Sequence, residues 1–154
     1  YVSHTAADEE HYSFALRRRG YEQIMYRAGL TPHHYAMTGH LAMRERQAWA
    51  RPLFDGNNRP TAVIAEGTHF TGPVYCAALA AGLTVPGELS LVGIHDQVLS
   101  DFGVRVTTVR VPARDLGRQA VRRLLDRGDG TAASFKTDVL PFDLVHGDTS
   151  GACP

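Results

Sequence analysis

Two short aliphatic runs, TAVIA at Thr61 to Ala65 and LSLVGI at Leu89 to Ile94, constrain the fold more than any other feature of the chain. Each has the length of a strand, and the first is apolar and β-branched without alternation, the pattern of a strand covered on both faces. Such strands lie in parallel sheets, and parallel neighbours need a long crossover between them. The intervening segment supplies one: a helix is expected over about Thr68 to Ala81, ended by Gly82. Pro73 must lie near its first turns, since a deeper proline costs about 3 kcal/mol.

The alternation extends in both directions. Tyr1 to Ser3 reads as a strand, Thr5 or Asp8 as a cap, and Glu9 to Ala28 as a helix with Gly29 in the left-handed closing position. Its apolar positions Tyr12, Phe14, Ala15, Tyr21, Ile24, Met25 and Ala28 keep rough helical spacing. His33 to Met37 is a further strand, and His40 to Phe54 a second helix carrying Leu41, Met43, Trp49 and Leu53. DGNNRP, Asp55 to Pro60, is a turn cluster. Beyond Ile94, Gln97 to Phe102 forms a short turn or helix, Val106 to Val111 an extended run, and Pro112 opens a helix to about Asp126. That helix keeps Leu116, Ala120, Val121, Leu124 and Leu125 on one face and Arg114, Arg118 and Arg122 on its solvated side. Arg127 to Thr137 is glycine-rich and polar, and Val139 to Val145 is a last strand. The expected class is α/β: a parallel sheet flanked by helices on both faces, in one domain of 154 residues.

Charge and cysteine content narrow the function. Lys plus Arg equals Asp plus Glu at 16 each, so the chain as a whole offers no electrostatic footprint for a nucleic-acid backbone. Cys76 and Cys153 form neither a disulfide framework nor a metal-ligand spacing, which fits a reducing cytoplasm. No run approaches the roughly 18 apolar residues of a membrane span, and YVSHTAADEEH is unlike a signal peptide. The first residue is not Met, and the chain reads as a fragment of something longer.

In parallel α/β sheets ligands bind beyond the carboxyl ends of the strands. Three places qualify: the loop after Ser3, the turn Glu66-Gly67-Thr68, and His95-Asp96. His95 and Asp96 are not a catalytic dyad, because adjacent strand residues point to opposite faces. No G-x-S-x-G elbow is present, and no catalytic residue is expected. The histidines at element ends, His33, His34, His40, His69 and His95, lack H-x-x-x-H spacing on a helix, so no metal or other cofactor is expected. Arg17 to Gly20, RRRG, spreads its three guanidinium groups over different helix faces, leaving one or two for any one ligand. Gly67 is a lone glycine after a strand and identifies no phosphate site.

Four stretches together resemble one family, the effector-binding domain of lactose-repressor and galactose-repressor type (LacI/GalR) transcription regulators: RRRGY at Arg17 to Tyr21, PTAVIA at Pro60 to Ala65, AGLTVPGELSLVGIHD at Ala81 to Asp96, and VTTVRVPARDLGRQAVRRLL at Val106 to Leu125. LPFDLVHGDTS, Leu140 to Ser150, is similar to that family's last strand and tail. The resemblance implies the periplasmic-binding-protein fold and covers about the C-terminal half of such a regulator. It implies a single C-terminal lobe, with 111–128 crossing to an N-terminal lobe, and a helix-turn-helix outside this chain.

The resemblance also implies roles. Arg17 matches the arginine that reaches ligand hydroxyls. Glu66 stands where the family often has the Asn of A-N-D, with Gly67 replacing its Asp; His95 replaces the first Asp of G-[FY]-D-D, and Asp96 keeps the second. Arg17, Glu66, His95, Asp96 and Leu41 form the expected ligand-binding set, and a histidine there makes binding pH-dependent near its unperturbed pKa of about 6.5. The implied partners are a sugar or nucleoside-like effector, a second copy contacted through Phe70, Val74, Leu99 and Phe102, and DNA only through the absent domain. Without the other lobe, the apolar face of the Leu116 to Leu125 helix needs a partner. A solute-binding protein of the same fold, or a metal-assisted hydrolase using His95, Asp96 and Glu66, are the competing readings.

Overall fold

The computed structural model describes residues 1–4, 12–39, 41–100, 103–128 and 137–152. One sheet joins strands β1 (Val2–His4), β2 (Tyr35–Met37), β3 (Ala62–Glu66), β4 (Ser90–His95), β5 (Thr107–Arg110) and β6 (Asp143–Val145), in the spatial order β2-β1-β3-β4-β5-β6. The first five run parallel, as the aliphatic runs dictate, and the expected parallel α/β class holds; β6, whose direction the sequence does not indicate, is antiparallel to β5.

Four helices connect the strands: α1 (Tyr12–Arg27), α2 (Met43–Ala50), α3 (Thr68–Ala80) and α4 (Ala113–Gly128). The expected second helix breaks after Ala50, where Arg51–Phe54 tightens into a 3-10 turn with Pro52 at its start, a position that needs no backbone donor. Pro73 lies in the second turn of α3, where it forgoes the backbone bond to His69. Gly29 closes α1 at a φ of 70°, its N–H donating to the Tyr26 carbonyl and that of Leu30 to Met25. Thr5, Asp8 and the expected start of α1 at Glu9 lie outside the described residues, as do His40, Phe102 and Cys153.

Strand parity sorts the two sheet faces. Val2, Val63, Ala65 and Leu91 join Phe70, Val74, Tyr75, Ala77 and Ala78 of α3 and Ala50 of α2 in one buried cluster. The opposite face carries Tyr1 and Glu66, both reached by side chains of α1. The helices therefore do lie on both faces. They are not equally packed: α1 leaves Tyr12, Leu16, Ile24 and Tyr26 exposed, and α4 exposes Leu116, Val121, Leu124 and Leu125.

The tail after β6 clasps the amino ends of two central strands. Thr149 is buried; its carbonyl accepts from the Leu91 N–H at 2.7 Å, its hydroxyl donates to the Leu91 carbonyl at 2.7 Å, and that hydroxyl accepts from the Thr107 N–H at 3.0 Å. Asp148 adds a carboxylate that accepts from the Arg105 N–H at 2.7 Å. The clasp requires Gly147, because a Cβ there would fall on the Arg105 carbonyl and the Val106 backbone. Gly147→Ala is expected to lower stability by about 1–3 kcal/mol, read as a lower urea midpoint with an unchanged slope; an unchanged midpoint would show that the clasp does not constrain the sheet.

Candidate functional site

The strand order places the reversal of direction between β1 and β3: from β1 the chain moves to β2, and from β3 it moves the other way to β4. At such a switch point the connections diverge and leave a crevice beyond the carboxyl ends of the strands. Glu66, the last residue of β3, lies at that edge and is 4% exposed.

A buried carboxylate must be paired and hydrogen-bonded. Glu66 is: Arg17 of α1 donates from Nη1 to its Oε1 in an ion pair, and Tyr1 donates its hydroxyl to Oε2 at 2.8 Å. The Tyr1 ring stacks on Tyr21 of α1, with centroids 5.4 Å apart. Burial, and then the bond to Glu66, push the Tyr1 hydroxyl pKa upward, so it stays a donor. Nη1 of Arg17 is thus fixed while the side chain stays 28% exposed, and a guanidinium is a group suited to bidentate contact with hydroxyls or an anion.

His95, the last residue of β4, occupies the other face. Glu66 is in register with Ile94, so His95, one residue on, points toward α3. Its Nε2 lies 2.9 Å from the Thr71 hydroxyl, and the ring is 4% exposed. Gly93, two residues earlier on the same face, makes room: a Cβ there would strike Nε2 and Cδ2 of the imidazole. Gly67 links the two strand ends. Its φ of 81° and ψ of 165° are open essentially to glycine alone, and its N–H donates to the Ile94 carbonyl at 3.1 Å. Its own carbonyl accepts from the Phe70 and Thr71 N–H groups and from the Thr71 hydroxyl at 3.1 Å, which starts α3.

The expected ligand set therefore divides. Arg17 and Glu66 meet, and His95 and Thr71 meet on the other side of the sheet edge. Asp96 is exposed in the bend that follows β4. Leu41 is half-buried and packs against the core on the α2 and α3 side, away from the face that carries Glu66. The hydrolase constellation is not assembled, since Glu66 and His95 face opposite ways. Among the described residues no group of three or more His, Cys, Asp or Glu could hold a metal ion. The expected interface side chains are also relocated: Phe70 and Val74 are 4% and 0% exposed in the chain's own core and Leu99 is buried, so none of them offers surface to a second copy, while Phe102 is outside the described residues. Helix α3 is apolar nearly all round, and the side that contacts the sheet takes these residues.

Three contributors were missed from sequence. Tyr1 was readable from strand parity, as the neighbour of inward-facing Val2. Gly93 was readable as a glycine inside a strand, which signals close approach. Thr71 carries no sequence signal beyond its place four residues after Gly67.

Burial pushes the His95 pKa below its ordinary value, opposed by the nearby Asp96 charge. The unfolded chain then binds that proton more readily than the folded one. The resulting stability is complete above the ordinary value of about 6.5 and is lost as pH falls below it, until the folded-state value is passed. The stability gap between wild type and His95→Gln should accordingly be wider at about pH 8 than at about pH 5.5; a constant gap in urea midpoints would contradict it.

Residues 2–150 match the family model of the periplasmic binding protein-like domain. Among curated relatives, the HTH-type transcriptional repressor PurR of Klebsiella pneumoniae subsp. pneumoniae is 32% identical over 116 residues, covering 73% of this chain and 34% of that protein. The ribose operon repressor of Escherichia coli K12 is 33% identical over 114 residues, with the same coverages. The chain thus spans about a third of the length of these relatives. Among solved structures, a LacI family transcriptional regulator from Bifidobacterium animalis subsp. lactis superposes with a TM-score of 0.81 at 18% identity, covering 99% of this chain and 56% of that one. A dimeric Lac repressor with an 11-residue C-terminal deletion superposes with a TM-score of 0.80 at 24% identity, with the same coverages. At those identities the superpositions speak to fold, and the family model carries the kinship: the chain belongs to the periplasmic binding protein-like domain family.

Proposed function

We propose that this chain is the C-terminal lobe of the effector-binding domain of a LacI-type transcription regulator, and that the complete protein binds a small sugar or nucleoside-like effector which alters its hold on operator DNA. The observation that carries the reading is the Arg17 guanidinium, pinned by buried Glu66 at the β1/β3 switch point while its side chain stays 28% exposed. A pre-fixed planar donor fork is what recognition of vicinal hydroxyls requires, because little side-chain entropy is left to lose on binding. No residue acts as a catalyst in this reading, and no cofactor takes part.

Helix α4 supports the two-lobe arrangement. Its apolar stripe of Leu116, Val121, Leu124 and Leu125 is 45% to 68% exposed on this chain alone, although the helix is amphipathic enough to bury one face. In the proposed whole protein, 111–128 crosses to an N-terminal lobe that covers this stripe. DNA contact belongs to a separate helix-turn-helix, in keeping with the zero net charge here. The protein acts in the cytoplasm as a homodimer whose contacts are made by side chains other than Phe70, Val74 and Leu99. No helix among the described residues is long and apolar enough to cross a membrane.

The test is a thermal-shift screen of the complete protein against sugars, nucleosides and divalent metals. A ligand at about 100 times its dissociation constant adds about 2.7 kcal/mol to stability. A sugar or nucleoside shift that disappears in Arg17→Ala, measured from that variant's own baseline, is the expected result. A shift from metal alone, removed by His95→Ala, would overturn the regulator reading.

A further inference from the structure

Helices α2 and α3 leave a hollow between them, away from the edge described above. Small side chains make it: where Ala77 and Ala80 of α3 come beside α2, a groove of about 260 Å3 opens, and the half-buried Cys76 also lines it. The α2 side contributes Arg44, Gln47 and Arg51. Arg44 and Arg51 are about two helical turns apart, so they share one side of α2 with Gln47 between them.

These arginines stand apart because they lack a countercharge. Elsewhere on the surface a guanidinium meets its carboxylate closely: Arg59 and Glu88 at 2.9 Å, Arg110 and Asp143 at 2.7 Å, Arg123 and Asp138 at 2.6 Å. The Arg44 side chain has no ion pair or hydrogen bond among the described residues. Arg51 reaches only Asp55, at 3.5 Å, with the two side chains 50% and 62% exposed, a contact too long and too wet to neutralise it. Among the described residues no acidic side chain lines the groove. In a chain with as many acidic as basic residues this is a local excess of positive charge, and it faces a concave surface, where the field is focused.

We propose that the α2/α3 groove binds a small organic anion, whose carboxylate or phosphate group is held by Arg44 and Arg51 and whose carbon skeleton lies on Ala77 and Ala80. Guanidinium groups present paired N–H donors to either kind of oxyanion, and the Gln47 amide adds a further donor between them. The volume lies just under the roughly 300 Å3 at which small-molecule sites begin, so the occupant is a compact metabolite rather than a polymer. The site is distinct from the switch point. Cys76 lies about 13 Å of helix rise beyond Gly67, on the sheet face opposite Glu66, and the proposal does not depend on the effector reading.

Cys76 reports on occupancy. In the complete protein its alkylation by uncharged N-ethylmaleimide is followed by peptide-mapping mass spectrometry while citrate or inorganic phosphate is added, with ionic strength held constant by NaCl. Saturable protection of about fivefold or more is expected; protection by citrate identifies a carboxylate site, and protection by phosphate a phosphate site. Arg44→Gln and Arg51→Gln, both at exposed positions, should each weaken the protecting anion about fivefold. Asp55→Asn, which frees Arg51, should strengthen it. No protection by either anion beyond that of NaCl, or protection that persists in the Arg44→Gln/Arg51→Gln double variant, would overturn the proposal. So would a Cys76 that N-ethylmaleimide cannot reach in the complete protein, because the groove would then be covered.

Discussion

A carboxylate removed from water organises this chain. Glu66 ends the strand on which the sheet reverses direction, and it is folded in only because Arg17 and Tyr1 meet its two oxygens. Leaving a buried charge of this kind unpaired costs about 3–5 kcal/mol, which is a large part of a small domain's stability. The two partners come from opposite sides of the first crossover, Tyr1 from the residue before β1 and Arg17 from α1. One contact therefore ties strand, helix and switch point together. It also holds the Arg17 guanidinium in place at the switch point.

The second strand end is built on different chemistry. His95 is held by the Thr71 hydroxyl, itself bonded to Gly67, and by the space over Gly93, and burial favours its neutral form. The two ends share the Gly67 turn, whose N–H reaches β4 while its carbonyl starts α3. The two peptide groups that flank the Gly67 Cα thus bond to β4 on one side and to the first turn of α3 on the other.

Much of this was legible in the residues. The aliphatic runs at Thr61 and Leu89 announced parallel strands, Gly29 and Gly82 marked helix ends, and the Leu116 to Leu125 stripe announced a face that this chain alone does not cover. Other features depend on tertiary placement. Sequence alone could not tell that α3 spends Phe70 and Val74 on its own sheet, because a helix apolar on most sides has no single inward face to read. The antiparallel β6 was hidden for a related reason: a three-residue strand carries no direction. The departures from the family pattern at positions 66 and 95 were visible in the residues, but only strand parity separates their partners.

The central claim is that Arg17 and Glu66 act as a unit, and a double-mutant cycle in urea unfolding measures that directly. Arg17→Ala should cost about 3 kcal/mol, near the lower end for buried pairs because the guanidinium keeps some solvent. Glu66→Gln retains an acceptor for Tyr1 while removing the charge. In its background the loss of Arg17 should matter far less, giving a coupling of at least about 1.5 kcal/mol. Strictly additive effects would show that the two side chains are neighbours without being partners, and the account of the edge built on them would fail.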